Sequence, residues 1–211
     1  MEHSEDFRIP VWLRPRGFSV ILFLLITSAT PILSAKISRL PAPNSIDVEH
    51  STMTVYVYRS GLLSFAGDNH EVQVPVASGA LDESARTVAL RVDVRRMRVL
   101  DPNLSADKLS QVQEKMLSPD VLDPDRYPEI NFRSTRVEEK NSNSFSVTGN
   151  LTLHGQTRPV NVNVVRIQTH YRGSATIKQT DFGIKPISIG GGTVKVKDEV
   201  KIDFDIVTLQ P

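Results

Sequence analysis

The C-terminal part of this sequence alternates apolar and polar residues with a period of two. Between residues 193 and 207, valine, isoleucine and phenylalanine fall on one face, and lysine, glutamate and aspartate fall on the other. Successive side chains of a β-strand point to opposite sides, so this pattern predicts a half-buried strand. Asp198 interrupts the apolar face, which indicates a bulge, a strand end at a barrel mouth or a break between two shorter strands.

The same alternation recurs along the chain, in residues 53–57, 88–94, 144–154 and 160–164. Glycine, asparagine, aspartate and serine residues separate these runs and favour turns. Many short amphipathic strands with short connections predict an antiparallel sheet. Such a sheet avoids exposed edges either as a sandwich or as a closed barrel, and we favour the barrel.

One segment departs from the strand pattern and predicts a short helix, residues 106–117. Ser105 stands where a helix cap is expected, and Leu109, Val112 and Met116 share one helical face. Prolines follow closely and prevent the helix from continuing. We expect this helix to plug the barrel and to bury its apolar face in the core.

The N-terminus has the features of an export signal. Arginines precede an apolar run, residues 18–26, which is shorter than the about 20 residues that a membrane-spanning helix needs. Small residues near Ala35 offer a cleavage point. The sequence therefore predicts a signal peptide, residues 1–35, and a periplasmic or secreted domain, residues 36–211; an uncleaved anchor remains the alternative.

Composition excludes several classes of function. The formal net charge is +1, so the chain lacks the basic excess that drives binding to nucleic acid. It contains no cysteine, which removes disulfides, thiolate nucleophiles and cysteine metal ligands. No nucleotide-binding or hydrolase motif occurs, and no cofactor, metal site or catalytic residue is predicted.

Three stretches, in this order and spacing, resemble the YceI-like family. They are residues 116–132, with Tyr127 and Pro128 before an Ile-Asn-Phe run, residues 147–160 (VTGNLTLHGQTRPV), and the Asp-Phe-Gly-Ile sequence of residues 181–184. The resemblance covers about residues 44–207. It implies an all-β fold, an antiparallel eight-stranded lipocalin-like barrel with one short helix, in exported bacterial proteins.

The resemblance also implies a long apolar cavity for an isoprenoid or another long amphiphile, such as a fatty-acid-like lipid, and it brings no catalytic residues. An eight-stranded barrel has room for its own side chains or for one slender ligand. Proximity to a membrane and a homodimer both stay open. The hypothetical ligand-binding residues are Val55, Phe65, Leu90, Val92, Phe132, Val147, Leu151 and Phe182.

Two other functions remain as alternatives. A barrel with a filled interior would bind a protein partner through its outer surface. An enzyme would need His70 and His154 to converge with a carboxylate such as Glu71 or Asp181, but neither histidine has metal-ligand spacing, and we expect both to bond turn backbone.

Four arginines are candidate contacts for an anionic head group at the cavity mouth. The expectation for each one is a solvated position on the outer face; the four are Arg133, Arg136, Arg158 and Arg172.

Overall fold

Strands dominate the computed structural model, which describes residues 44–60, 69–189 and 194–209. These residues contain eleven strands and one α-helix. The elements are β1 (Asn44–Ser60), β2 (His70–Gln73), β3 (Val76–Asp82), β4 (Thr87–Asp93), β5 (Arg98–Val99), α1 (Ala106–Leu117), β6 (Glu129–Asn141), β7 (Ser144–Leu153), β8 (Gln156–Ile167), β9 (His170–Lys178), β10 (Ser188–Ile189) and β11 (Val194–Thr208).

Eight of the strands form a closed antiparallel barrel. Their order is β11-β9-β8-β7-β6-β4-β3-β1, and pairing of β1 with β11 completes the ring. Closure removes the exposed edges that an open sheet would leave. The predicted barrel is therefore confirmed, and β2, β5 and β10 lie outside the ring of eight as short additional strands.

The irregularity at Asp198 is a bulge. Val57 pairs with Val200 but Arg59 pairs with Val196, so β11 has two more residues than β1 in this interval. The Asp198 carboxylate accepts hydrogen bonds from the backbone N–H and the hydroxyl of Thr180, at 2.9 and 2.7 Å. Of the three predicted interpretations of this residue, the bulge is the one found.

The helix has the predicted bounds, Ala106–Leu117, and its apolar residues pack on the barrel core. Ser105 occupies the N-cap position with extended backbone angles, but its hydroxyl makes no capping hydrogen bond. Ser105 is therefore the N-cap residue, as predicted, but it caps the helix without a side-chain hydrogen bond. The helix packs on the core through Leu109, Val112 and Met116, which are half-buried and not fully buried as expected.

One hydrophobic cluster closes the barrel at the helix; we call it the plugged end. It combines strand residues with residues from the helix-side connections, among which Val94 and Phe182 are each 1% exposed. Its buried members are Val72, Val74, Val92, Val94, Met97, Val99, Leu122, Leu153, Ile177, Phe182, Ile184 and Val200.

A second cluster, the open end, consists only of barrel-strand residues within the described ranges. Along β9, Tyr171 belongs to the open end and Ile177 to the plugged end; along β11, Ile206 and Val200 divide in the same way. The clusters therefore succeed one another along the barrel axis. The buried members of the open end are Ile46, Val76, Leu81, Val147, Val162, Val164, Tyr171 and Ile206.

Two predictions concern residues outside the described ranges: the signal peptide, residues 1–35, and the ligand contact at Phe65. In the described part of the chain, the α-helix lacks the length and apolar character that a membrane-spanning helix needs.

Candidate ligand-binding cavity

The open end surrounds a cavity of about 290 Å³ to which all eight barrel strands contribute. This volume is close to the lower limit of about 300 Å³ for small-molecule pockets. A water-sized group takes about 30 Å³, so the cavity encloses roughly ten non-hydrogen atoms. Its walls are mainly Val, Leu, Ile and Phe side chains, and its charged residues lie in and beside the strand connections.

Four of the predicted ligand contacts line this cavity: Leu90, Phe132, Val147 and Leu151. They come from β4, β6 and β7, whose inward faces follow from the alternation. Leu151 also packs against the plugged end, and therefore lies toward the floor of the cavity.

Three other predicted contacts do not line the cavity. Val92 and Phe182 are buried members of the plugged end, and Val55 packs against that cluster. The alternation gives the face of a strand but not the depth of a residue along the barrel axis. Val55 and Val92 therefore face inward, as expected, at a level that the plug fills.

Two inward-facing glycines give space to the aromatic rings of the cavity wall. A Cβ atom at Gly149 would lie 2.4 Å from Cζ of Phe132, and one at Gly173 would lie 2.7 Å from Cζ of Phe204. The ring of Phe132 thus lies directly over the backbone at Gly149, and the ring of Phe204 lies over the backbone at Gly173. Both rings line the cavity.

Polar side chains from opposite walls meet at the mouth; we call Glu83, Arg166 and Tyr171 the mouth cluster. Glu83 lies in the β3–β4 turn, Arg166 in β8 and Tyr171 in β9. In the strand order β3 is four steps from β8 in either direction, so the two strands lie across the barrel from one another. The Glu83 carboxylate accepts hydrogen bonds from the Tyr171 hydroxyl and, at 2.6 Å, from Nη1 of Arg166.

The pKa values of the mouth cluster favour this arrangement at neutral pH. Burial and then the Glu83 carboxylate raise the pKa of Tyr171 to about 12, so its hydroxyl stays protonated. The hydrogen bond from Tyr171, followed by the contact with Arg166, holds the pKa of Glu83 below its usual value. Hydrogen bonding to Glu83 raises the pKa of Arg166.

The mouth cluster was not predicted from the sequence, although the alternation marks two of its members. Arg166 continues the alternation of Val160, Val162 and Val164, and therefore ends the inward face of β8. Tyr171 begins the inward face of β9 in the same way. Glu83 had no such signal, because it lies in a turn.

The four arginines considered as head-group contacts lie outside the cavity lining, as expected. Arg133 and Arg158 are exposed. Arg136 pairs with Glu138 at 2.6 Å, and Arg172 pairs with Asp205 at 2.7 Å.

The histidines of the alternative enzyme hypothesis have separate partners. Nδ1 of His70 bonds a carboxylate oxygen of Asp101 at 2.5 Å, whereas Nδ1 of His154 donates to the carbonyl of Phe182 at 3.2 Å. His154 thus bonds backbone, as expected, but His70 bonds a side chain. Within the described ranges, no group of three or more His, Cys, Asp or Glu residues is arranged to hold a metal ion.

Sequence comparison finds relatives among bacterial UPF0312 proteins. A UPF0312 protein of Vibrio cholerae serotype O1 is 31% identical over 112 residues, which cover 48% of this chain and 55% of that protein. A UPF0312 protein of Pseudomonas syringae pv. tomato is 36% identical over 98 residues, covering 42% and 49%. The chain thus spans about half the length of these relatives.

Comparison with solved structures supports the fold. The crystal structure of BcnA from Burkholderia cenocepacia matches with a TM-score of 0.55 at 20% identity, covering 78% of this chain and 99% of that one. The model of the YceI-like domain matches residues 45–208, which contain the eight barrel strands almost completely. The chain therefore belongs to the YceI-like domain family.

Proposed function

We propose that this protein is an exported, non-enzymatic binding protein that holds an isoprenoid or a fatty-acid-like lipid in its barrel. The observation that carries the proposal is the cavity itself, which has apolar walls, a floor at the plugged end and polar groups at its mouth. An amphiphile has the same distribution, with an apolar chain and one polar head.

The size of the cavity limits the binding free energy that burial of the lipid's hydrocarbon chain can contribute. Roughly ten enclosed carbon atoms at about 0.8 kcal/mol each give about 8 kcal/mol, against an association cost of about 4–15 kcal/mol. Apolar burial inside the cavity alone therefore supports weak binding at best. Contacts at the mouth, or a longer chain that extends beyond it, would add to the affinity.

The proposed location, periplasmic or secreted, depends on the predicted signal peptide, residues 1–35. Cell fractionation followed by N-terminal sequencing of the recovered protein tests it. Mature protein that begins near residue 36 in the exported fraction supports export; full-length protein confined to the cytosol contradicts it.

The alternative of a filled barrel that binds a protein partner receives no support from the open end. A cavity of about 290 Å³ is far larger than the space of one water molecule, so this half of the interior is not packed by its own side chains. No described contact favours a particular partner surface.

A paired substitution tests the proposed function. Leu151→Arg places a charge at the floor of the apolar cavity, and we expect it to weaken the binding of decanol and farnesol at least tenfold. Asn161→Arg adds the same charge on the exposed outer face of β8 and is the control. Isothermal titration calorimetry measures both, after circular dichroism has established that each variant is folded. Equal affinities for the two variants would contradict binding in the cavity.

A further inference from the structure

The mouth cluster holds two hydrogen-bond donors on the barrel wall and one acceptor on a turn. Arg166 and Tyr171 belong to paired strands, β8 and β9, and Tyr171 is only 6% exposed. Glu83 belongs to the connection between β3 and β4, and its side chain is 46% exposed. The donors are therefore positioned by the sheet, whereas the carboxylate reaches them from across the mouth.

Contacts other than Glu83 also position the guanidinium group. Nη2 of Arg166 donates to the carbonyl of Ser142 at 3.3 Å, and the guanidinium carbon lies 5.9 Å from the ring centre of Phe145. These contacts would keep the donor at the mouth if Glu83 moved away. The Tyr171 ring is held by its burial in the open end.

We propose that Arg166 and Tyr171 form a receptor for the carboxylate head of a fatty acid, and that Glu83 occupies this receptor in the present structure. One carboxylate oxygen of Glu83 accepts from Tyr171 and the other accepts from Arg166. A fatty acid with its chain in the cavity presents the same two oxygens to the same two donors. The inference rests on the proposed function, because the cavity must hold the hydrocarbon chain of the fatty acid.

The charge around the mouth favours a carboxylate over a phosphate. Three carboxylates (Asp82, Glu83 and Glu139) and two guanidinium groups (Arg86 and Arg166) border the cavity. The carboxylate of a fatty acid carries one negative charge. If it replaces Glu83, it makes the same contacts with Arg166 and Tyr171 that Glu83 makes now. A more highly charged phosphate would meet additional repulsion from the neighbouring carboxylates.

Glu83 and a fatty acid would compete for the receptor. Binding would require the Glu83 side chain to give up both hydrogen bonds and turn into solvent, which its position on a turn and its 46% exposure allow. Removal of its charge should therefore strengthen binding of fatty acids but not of alcohols with the same chain. This difference separates a receptor for carboxylates from a simple steric barrier at the mouth.

The experiment measures the affinities of the full chain for decanoate, 1-decanol and decyl phosphate at pH 7.5 by isothermal titration calorimetry. For Glu83→Gln we expect decanoate to bind about tenfold more tightly, with no change for decanol, and decyl phosphate to bind more weakly than decanoate in both the wild type and the variant. Adding Tyr171→Phe or Arg166→Met to Glu83→Gln should abolish the gain for decanoate. Circular dichroism and thermal unfolding establish that each variant is folded.

The matched control is Glu138→Gln, which removes the same charge near the β6–β7 turn. Glu138 pairs with Arg136 and Lys140 and does not line the cavity, so we expect less than a twofold effect on decanoate. An equal gain for decanol and decanoate in Glu83→Gln, or a gain that persists without Arg166 and Tyr171, would overturn the receptor. Failure of every ligand to bind any variant would instead overturn the proposed function on which it rests.

Discussion

The two ends of the barrel have the same strand alternation but different interiors. At the plugged end, α1 and the nearby connections add Leu122, Phe182 and Ile184 to the strand residues, and apolar packing is dense. At the open end, the buried residues that the structure describes all come from the strands, and they border a cavity with a polar mouth.

This difference shows what determines whether a small barrel is filled. The strands supply inward apolar residues at both ends, so their pattern cannot distinguish a packed interior from a cavity. The helix and the nearby connections fill the plugged end. Near the open end, Gly149 and Gly173 place no side chain inside the barrel. Stability should therefore depend mainly on the plugged end, and ligand binding on the open end.

The largest expected effect is the loss of stability on removal of a plug residue. Phe182→Ala should lower the free energy of unfolding by about 3–5 kcal/mol, because Phe182 is fully packed. Phe204→Ala, at the half-buried ring beside the cavity, should cost less than half as much, since one side of that ring already borders open space. Urea denaturation measures both, and equal losses would contradict the division into a packed end and an open end.

The second-largest expected effect is weaker ligand binding when a larger side chain fills the cavity. Ala175 lines the cavity, and Ala175→Leu should weaken the binding of decanol about tenfold while the free energy of unfolding stays equal or rises by about 0.5–2 kcal/mol. Ala89→Leu, on the outer face of β4, is the control and should leave binding unchanged. A calorimetric titration that gives wild-type affinity for Ala175→Leu would place the ligand elsewhere.

A smaller effect is expected at alkaline pH. The pKa of Tyr171 is raised from 10.0 to about 12, so its contribution to stability is complete below pH 10 and is lost as the pH rises through 12. Tyr171→Phe should therefore lose less stability than the wild type between pH 10 and 12. Urea denaturation across this range tests the expectation; parallel curves for the two proteins would show that Tyr171 does not titrate in this way.

The smallest effect is expected at acid pH. The pKa of Glu83 is held below 4.5, so its contribution to stability is present above pH 4.5 and is lost as the pH falls below that value. The stability difference between the wild type and Glu83→Gln should therefore shrink below pH 4.5. A constant difference down to pH 3 would indicate that the carboxylate charge of Glu83 makes no contribution.

The sequence predicted the fold better than the site. Alternation and the family resemblance predicted the barrel, and the spacing of Leu109, Val112 and Met116 predicted the helix. These are local patterns that the structure preserves. Of the predicted ligand contacts, Leu90, Phe132, Val147 and Leu151 line the cavity.

The remaining part of the site depends on information that alternation does not contain. Val92 and Phe182 belong to the plugged end because the helix and the following connections fill that level of the barrel. Glu83 meets Arg166 and Tyr171 only because closure brings β3 opposite β8. Depth along the axis and contacts across the mouth are properties of the closed barrel, so a single strand does not reveal them.

The most direct test of the central claim is native mass spectrometry of the protein purified from its exported fraction, followed by organic extraction. We expect one prenyl or acyl lipid per protein chain, released on denaturation and recovered in the extract. Protein without bound lipid that also fails to take up farnesol and decanoate when they are supplied would contradict the claim that the cavity is a lipid site.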